Sequence, residues 1–191
     1  LEIDNEYIMS PKDLCTIDFL DQVIDSGVKV LKIEGRARAA DYVSTVIKSY
    51  REAIDAYYDG TYNEERVAEW MDRLNTVYNR GFWSGYYLGQ KMGEWHDSSG
   101  SKATQKKVYI GKGLHYFPKS QVAHFKVESQ SIKVGDQVLI TGPTTGVIET
   151  QISSMRVDDN EVKEASRGVD ITFPLDKQIR SSDKIYKIVE A

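Results

Sequence analysis

The sequence predicts an α+β protein in two parts, a helical α/β part over residues 1–95 and a small C-terminal antiparallel β-barrel over residues 106–191. Three observations lead to this prediction. In the first part, apolar residues recur at helical spacing. In the second part, short apolar runs alternate with turn residues and no helical period is found. Between the two, residues 96–105 are small and polar, which is typical of an interdomain linker.

Composition limits the classes of protein that the chain can belong to. With 191 residues, of which 40% are hydrophobic and 28% charged, the chain is long enough to bury a core. Residues 1–105 carry 12 basic and 18 acidic side chains, and residues 106–191 carry 13 and 11, so any RNA contact would come from a local basic patch. No apolar run approaches the roughly 20 residues of a membrane span. The single cysteine excludes an internal disulfide and favours a reducing, cytoplasmic compartment.

The first predicted helix starts with Ser10 as N-cap and Pro11 at the first helical position, and it ends at Gly27. The β-branched run VKVLKI, residues 28–33, then predicts a short buried strand. A lone parallel strand lacks a partner, so we expect the chain to be the C-terminal piece of a larger protein. The strand would pair with the segment 6–9 or with a second copy of the chain, which leaves an oligomer open.

Two further helices follow in the first part. An apolar stripe predicts a helix over residues 40–58 that Gly60 stops, and a third helix begins near Asn63 and ends before Gly81. Residues 82–95 are rich in glycine and aromatic residues and are expected to form an extended segment.

The second part contains six candidate strands, and a small closed barrel would remove the exposed edges of strands this short. Turn residues separate the candidates. The predicted strands are Val108–Ile110, Gln121–Val127, Gln137–Thr141, Val147–Val157, Asp170–Phe173 and Lys184–Val189.

Cys15 is the first candidate site residue. In the second turn of the predicted first helix, the positive helix end would lower the thiol pKa and favour a nucleophilic or metal-binding thiolate. A small buried hydrophobic residue is the commoner role for a lone cysteine. A complete metal site cannot be built from this chain, because no second cysteine or suitably spaced histidine accompanies Cys15.

Glu34 and Arg36 are the candidate catalytic residues. They follow the predicted strand at its carboxyl end, which faces the active site in α/β barrels and open α/β sheets. There they would orient an anionic substrate or move a proton. A salt bridge that closes the turn between strand and helix is an equally good interpretation.

Lys106, Lys107 and Lys112, followed by Tyr116, are the candidate RNA-binding residues. Basic and aromatic side chains in alternation are typical of surfaces that bind single-stranded RNA through charge and stacking. The alternative is a solvated, lysine-protected strand edge.

Four motifs resemble the collagenase-like peptidase family, family U number thirty-two. SPKDLC, KIEGRAR, DYVSTVIKSYREAID and NRGFWSGYYLG occur in this order within residues 7–90. The later segments IKVGDQVLITGP and RSSDKIYKI resemble the C-terminal β-barrel of that family, which is similar to domain II of elongation factor Tu.

The resemblance implies an intact protein with a TIM-like barrel, of which residues 1–95 are the end. Some family members are described as proteases acting on collagen, and others hydroxylate tRNA or ribosomal RNA or serve ubiquinone hydroxylation. The hydroxylating members hold a 4Fe-4S cluster on four cysteines, and Cys15 matches the last ligand. Three ligands would lie upstream, so this piece alone is expected to bind no cluster and to be inactive.

Three functions are therefore expected from the sequence. The first is RNA modification by the intact protein, with tRNA or rRNA as partner. The second is hydrolysis of peptide bonds in a collagen-like substrate. The third is a non-catalytic module in which the C-terminal half binds RNA or another partner.

Overall fold

The computed structural model describes residues 11–96 and 100–191. The chain is a mixed helix and sheet protein and divides into two compact units, unit 1 over Leu1–Thr104 and unit 2 over Gln105–Ala191. In the described part of the chain, no helix is long and apolar enough to cross a membrane.

The described residues of unit 1 form three helices, one turn of 3₁₀ helix and two very short strands. The strands β1 and β2 pair in parallel, with Asp13 opposite Phe82. In chain order the elements are β1 (Asp13–Leu14), the 3₁₀ helix (Ile17–Phe19), α1 (Leu20–Asp25), α2 (Ala40–Tyr58), α3 (Glu64–Asn75) and β2 (Phe82–Trp83).

Helices α2 and α3 confirm the second and third predicted helices. Gly60 lies two residues after the end of α2 and has a φ of +70°, a conformation that glycine adopts at little cost. The side chain of Asn63 caps α3 by accepting a hydrogen bond from the Arg66 amide at 3.0 Å. Trp70, at 1% exposure, lies in the core of unit 1 together with small residues of α2 such as Ala53.

The prediction of a helix from Pro11 is wrong for its first turns. The segment is extended: Pro11 forms an antiparallel bridge with Trp95, and the Asp13 amide donates to the Gly81 carbonyl at 2.8 Å. These backbone partners, distant in sequence, outcompete the local helix signal. Ser10, the predicted N-cap, lies outside the described residues. The end of the helix is confirmed, since Gly27 has a φ of +90° two residues after α1.

The strand predicted over residues 28–33 does not form. The segment has no regular structure, and the Val30 side chain is 82% exposed. A strand gains stability from a ladder with its neighbours, and no such ladder forms here among residues 11–96 and 100–191. Its proposed partner segment, residues 6–9, lies outside the described residues.

Unit 2 is all sheet and confirms the antiparallel arrangement of the predicted strands. Its strands are β3 (Gln105–Phe117), β4 (Val122–Val127), β5 (Ile132–Lys133), β6 (Gln137–Gly142), β7 (Gly146–Gln151), β8 (Arg156–Val157), β9 (Asn160–Glu161), β10 (Glu164–Ala165), β11 (Asp170–Pro174) and β12 (Lys184–Glu190). Eight strands follow the order β7-β6-β12-β3-β4-β11-β8-β9, and β10 pairs separately with β5. Within the described residues, no pairing joins β7 to β9, so the ladder is open and the predicted closed β-barrel is not observed.

One hydrophobic core fills unit 2. It includes side chains from both sheets, such as Ile110 of β3 and Ile132 of β5. Phe125 and Phe173 stack at its centre, with ring centroids 5.3 Å apart. Packing of both sheets around one core holds the strands in place and leaves the other face of the eight-stranded sheet to carry polar side chains.

Candidate functional site around Cys15

Cys15 lies directly after β1 and is 5% exposed. Its amide donates to the Trp83 carbonyl at 3.0 Å, which fixes the backbone beside β2. Its Sγ lies 3.7 Å from the Tyr50 hydroxyl and 3.9 Å from the Met71 Sδ. The thiol is therefore enclosed by α2 and α3, with one polar and one sulfur neighbour.

The environment of Cys15 favours the neutral thiol. Burial raises the pKa of Cys15, and the backbone hydrogen bond from Ile17 offsets this only in part. The expected lowering by a helix end does not occur, because Cys15 precedes a single turn of 3₁₀ helix instead of lying inside a helix. Burial also raises the pKa of Tyr50. Cys15 is thus a poor nucleophile in this state of the protein.

A charged network adjoins Cys15 and was missed by the sequence analysis. Asp13 accepts hydrogen bonds from the Arg38 and Arg80 guanidinium groups at 3.1 and 3.2 Å, and from the Arg80 amide at 2.8 Å. The Asp13 side chain is 15% exposed. The network connects β1 to the loop before α2 and to the loop before β2.

Arg38 also packs on aromatic rings. Its guanidinium carbon lies 4.2 Å from the ring centroid of Tyr78 and 5.2 Å from that of Tyr42. Arg38, the last arginine of the motif KIEGRAR, is therefore held by contacts with both a carboxylate and aromatic rings. Its only sequence signal was the repeated arginine in the motif, because its partners come from distant parts of the chain.

Glu34 and Arg36 lie on the surface of unit 1, and both are exposed. The Glu34 Oε1 accepts a hydrogen bond from the Arg36 backbone amide at 2.8 Å, so the carboxylate stabilises the turn through the backbone and not through the guanidinium. The strand that was expected to present them is not formed. Their catalytic role stays a prediction.

The predicted RNA-binding residues separate into two groups. Lys106, Lys107 and Lys112 are exposed on β3. The Lys107 Nζ lies 5.6 Å from the ring centroid of Tyr186, and the Lys112 Nζ lies 3.0 Å from the Glu128 carboxylate.

Tyr116 is a correction to the predicted RNA-binding set. It is 8% exposed, belongs to the core of unit 2, and donates its hydroxyl to the Leu175 carbonyl at 2.8 Å. Its ring is therefore not accessible for stacking on a base. The bulge in β3 between Gly113 and His115 shifts the alternation of side chains, a change that the sequence does not reveal.

The residues around Cys15 do not by themselves fit a four-cysteine cluster. Cys15 contributes one sulfur, and its neighbours are a tyrosine hydroxyl and a thioether. Throughout residues 11–96 and 100–191, no group of three or more His, Cys, Asp or Glu side chains is arranged to hold a metal ion. A cluster at Cys15 would need ligands from another part of a longer protein.

Comparison with known proteins gives the family. Residues 2–97 match the family model described as Peptidase family U32. The chain is 51% identical over 187 residues to a protein named collagenase from Porphyromonas gingivalis W83, covering 98% of this chain and 45% of that protein. It is 33% identical over 193 residues to tRNA hydroxylation protein P1 of Bacillus subtilis, covering 97% of this chain and 44% of that protein. The chain spans about half the length of these curated relatives.

A solved structure is also similar to part of the chain. It is the C-terminal domain of a protein from Geobacillus thermoleovorans described as a U32 peptidase, with a TM-score of 0.40 and 21% identity over 42% of this chain and 91% of that one. The family model covers the segment that carries Cys15, the KIEGRAR loop and the helices around them. The chain belongs to peptidase family U32.

Proposed function

We propose that a longer protein containing this chain acts in RNA modification, as a hydroxylation enzyme for a tRNA uridine or for ribosomal RNA. Unit 2 then serves as its RNA- or partner-binding module. The observation that carries this proposal is the environment of Cys15. Its buried thiol has a raised pKa, and its neighbours, the Tyr50 hydroxyl and the Met71 thioether, are not general bases. A nucleophilic cysteine needs an adjacent base, which Tyr50 and Met71 do not supply, whereas a metal ion displaces the thiol proton when it binds. This thiol therefore suits a ligand or core role better than a nucleophilic role.

The similarity to a tRNA hydroxylation protein supports this choice. That relative is similar over 97% of the chain, so the likeness includes unit 2 as well as the family segment. Within the proposal, Cys15 is one ligand of an iron–sulfur cluster, and the other three cysteines come from outside this chain. Residues 1–95 would then be the end of a TIM-like barrel, in which residues 28–33 find the strand partners that they lack here.

A collagenase-like peptidase is the second candidate function. It is supported by the 51% identity to a protein named collagenase, which is higher than the identity to the tRNA hydroxylation protein. The chemistry around Cys15 favours it less. A cysteine peptidase activates its thiol with an adjacent base, whereas the Cys15 sulfur contacts Tyr50 and Met71.

One experiment separates the two functions. Nucleosides from tRNA and ribosomal RNA of a deletion strain are analysed by mass spectrometry beside those of the parent strain. Loss of a hydroxylated uridine, restored by the full-length gene, is expected for RNA modification. Unchanged tRNA and rRNA together with gelatin cleavage by the purified full-length protein would establish the peptidase instead.

A second experiment tests Cys15 as a ligand. The full-length protein and its Cys15→Ala variant are purified without oxygen, and iron content and visible absorbance are measured. We expect the variant to lose iron and absorbance. Met71→Leu is the matched control, because it changes a neighbour of the same thiol without removing the sulfur of Cys15. A colourless parent protein would rule the cluster out.

A further inference from the structure

Three lysines form a row across the polar face of the eight-stranded sheet. Strands β12, β3 and β4 are neighbours, and their register places Lys184 opposite Lys112 and Lys112 opposite Lys126. All three side chains are exposed. Neighbouring strands are about 4.8 Å apart, so the row brings three like charges close together. Like charges directly opposite each other destabilise a sheet, which is a cost that a bound polyanion would remove.

Nearby carboxylates neutralise the row only in part. Glu128 pairs with Lys112, with 3.0 Å between the Nζ and the Oε1. Asp170 faces Lys126 in the register, but its carboxylate lies 3.6 Å from the His124 Nε2. Among the described residues, Lys126 and Lys184 form no salt bridge. The row therefore keeps an excess of positive charge.

An exposed aromatic group adjoins the row on the same face. His124 lies two residues before Lys126 on β4, so the two side chains point to the same side of the sheet. Phe117 is 42% exposed, and its ring centroid lies 4.5 Å from that of His115 and 6.5 Å from that of His124. The rings of Phe117 and His124 are 24° from parallel. A large apolar ring is thus held at the surface between two imidazoles.

We propose that this face of unit 2 binds single-stranded RNA, with the row Lys184–Lys112–Lys126 on the phosphates and the rings around Phe117 stacked on bases. This inference rests on the proposed function, in which unit 2 binds RNA. Proteins that bind single strands combine a basic track with aromatic platforms, and both are present here side by side. An acidic protein would use the lysines but would gain little from a ring that stacks on bases.

The test measures binding of a fluorescein-labelled oligouridylate to the 191-residue chain by anisotropy at several salt concentrations. Each phosphate contact contributes about 0.7 to the slope of log K against log salt for a single strand. The double variant Lys126→Gln/Lys184→Gln is expected to lower that slope by about 1.4. Phe117→Leu is expected to weaken binding roughly tenfold with the slope unchanged.

The matched control removes the same charge elsewhere in unit 2. Lys163 and Lys177 are exposed and lie in turns outside the eight-stranded sheet, so Lys163→Gln/Lys177→Gln is expected to leave the slope unchanged. Equal slopes for the two double variants would overturn the proposal. Displacement of the RNA by polyglutamate as readily as by unlabelled oligouridylate would also overturn it and would assign the face to an acidic protein.

The outcome is separable from that of the proposed function. Binding that depends on the lysine row, combined with unchanged nucleosides in the deletion strain, would uphold the RNA-binding face and contradict RNA modification. The reverse combination would uphold RNA modification and place its RNA contacts elsewhere, which contradicts this inference.

Discussion

Asp13 stabilises unit 1 through its position between two arginines. Replacing Asp13 with Asn leaves Arg38 and Arg80 close together without a counter-charge, in a site where the carboxylate is only 15% exposed. We expect Asp13→Asn to lower the free energy of unfolding by about 2 kcal/mol, below the range for a fully buried pair because solvent still reaches this one. Tryptophan fluorescence during urea unfolding reports on this unit, because Trp70 and Trp83 both belong to it.

The exposed pair Arg51–Asp55 is the control for that prediction. It joins neighbouring turns of α2 at 2.7 Å with both side chains more than half exposed. Asp55→Asn should therefore change the free energy of unfolding by less than about 0.5 kcal/mol. Equal losses in the two variants would contradict a special role for Asp13.

Gly111 is required by a close approach between backbones. A Cβ on residue 111 would lie 1.8 Å from the Lys126 carbonyl oxygen, which belongs to the adjacent strand and cannot move independently of it. We expect Gly111→Ala to destabilise unit 2 by roughly 3 kcal/mol, measured as faster hydrogen exchange in β3 and β4. Lys112→Ala, the exposed neighbour, should cost no more than about 0.5 kcal/mol. Equal protection in the two variants would disprove the close approach.

At the scale of elements, the sequence predicted the helices and strands whose ends are set by nearby cap and turn residues. Helix α2 has an apolar stripe and a terminal glycine, and both of its ends were predicted correctly. Helix α3 has an asparagine cap that predicted its start, but it ends at Asn75, well before the predicted limit at Gly81. The strands of unit 2 follow from alternation and turn residues. The extended segment before Cys15 was not predictable, because its hydrogen bonds go to residues near Gly81 and Trp95.

The candidate site was only partly predictable for the same reason. Cys15 was singled out as a lone cysteine, but its burial between α2 and α3 depends on long-range packing. The Asp13–Arg38–Arg80 network joins three distant parts of the chain, and no spacing in the sequence indicates it. Tyr116 was included among the RNA-binding residues although it is buried, because the bulge in β3 that changes the alternation of side chains has no signal in the sequence.

The helical cluster of unit 1 predicts a loss of stability in alkali. Burial raises the pKa of Cys15 above the ordinary thiol value of 9.0 and raises the pKa of Tyr62 to about 12. A raised pKa in the folded state means that the contribution to stability is complete below the unfolded pKa and is lost as pH rises through the folded one. We expect the urea midpoint of unit 1 to fall progressively from about pH 9 upwards.

The exposed Tyr58 provides the control for the alkaline prediction. It is 71% exposed and lies outside the hydrophobic cluster of unit 1, so Tyr58→Phe should keep the urea midpoints of the parent protein. Tyr62→Phe should reduce the fall of the urea midpoint at the highest pH values, because this variant removes the group whose pKa is raised to about 12. A urea midpoint that stays constant from neutral pH to pH 11 would contradict the assignment.

At the scale of the whole molecule, the two units have separate cores. The core residues of unit 1 lie between Cys15 and Phe82 in the sequence, and those of unit 2 lie between Ile110 and Ile185. We therefore expect residues 105–191, expressed alone, to fold with a cooperative thermal transition and a sheet-rich circular dichroism spectrum. A non-cooperative transition would show that unit 2 depends on the rest of the chain.

The exposed segment 28–34 has a consequence for self-association of this chain. In its sequence, VKVLKIE, Lys29 and Lys32 interrupt the apolar residues, and the Val30 side chain is 82% exposed. Without the lysines it would be a short, apolar, strand-forming stretch of the kind that nucleates fibrils. Charges placed inside such stretches act as gatekeepers. We expect Lys29→Ala/Lys32→Ala to shorten the lag before thioflavin-positive aggregates form, whereas Lys102→Ala, in a different segment, leaves it unchanged. The two lysines would then prevent this exposed segment from pairing with copies of itself.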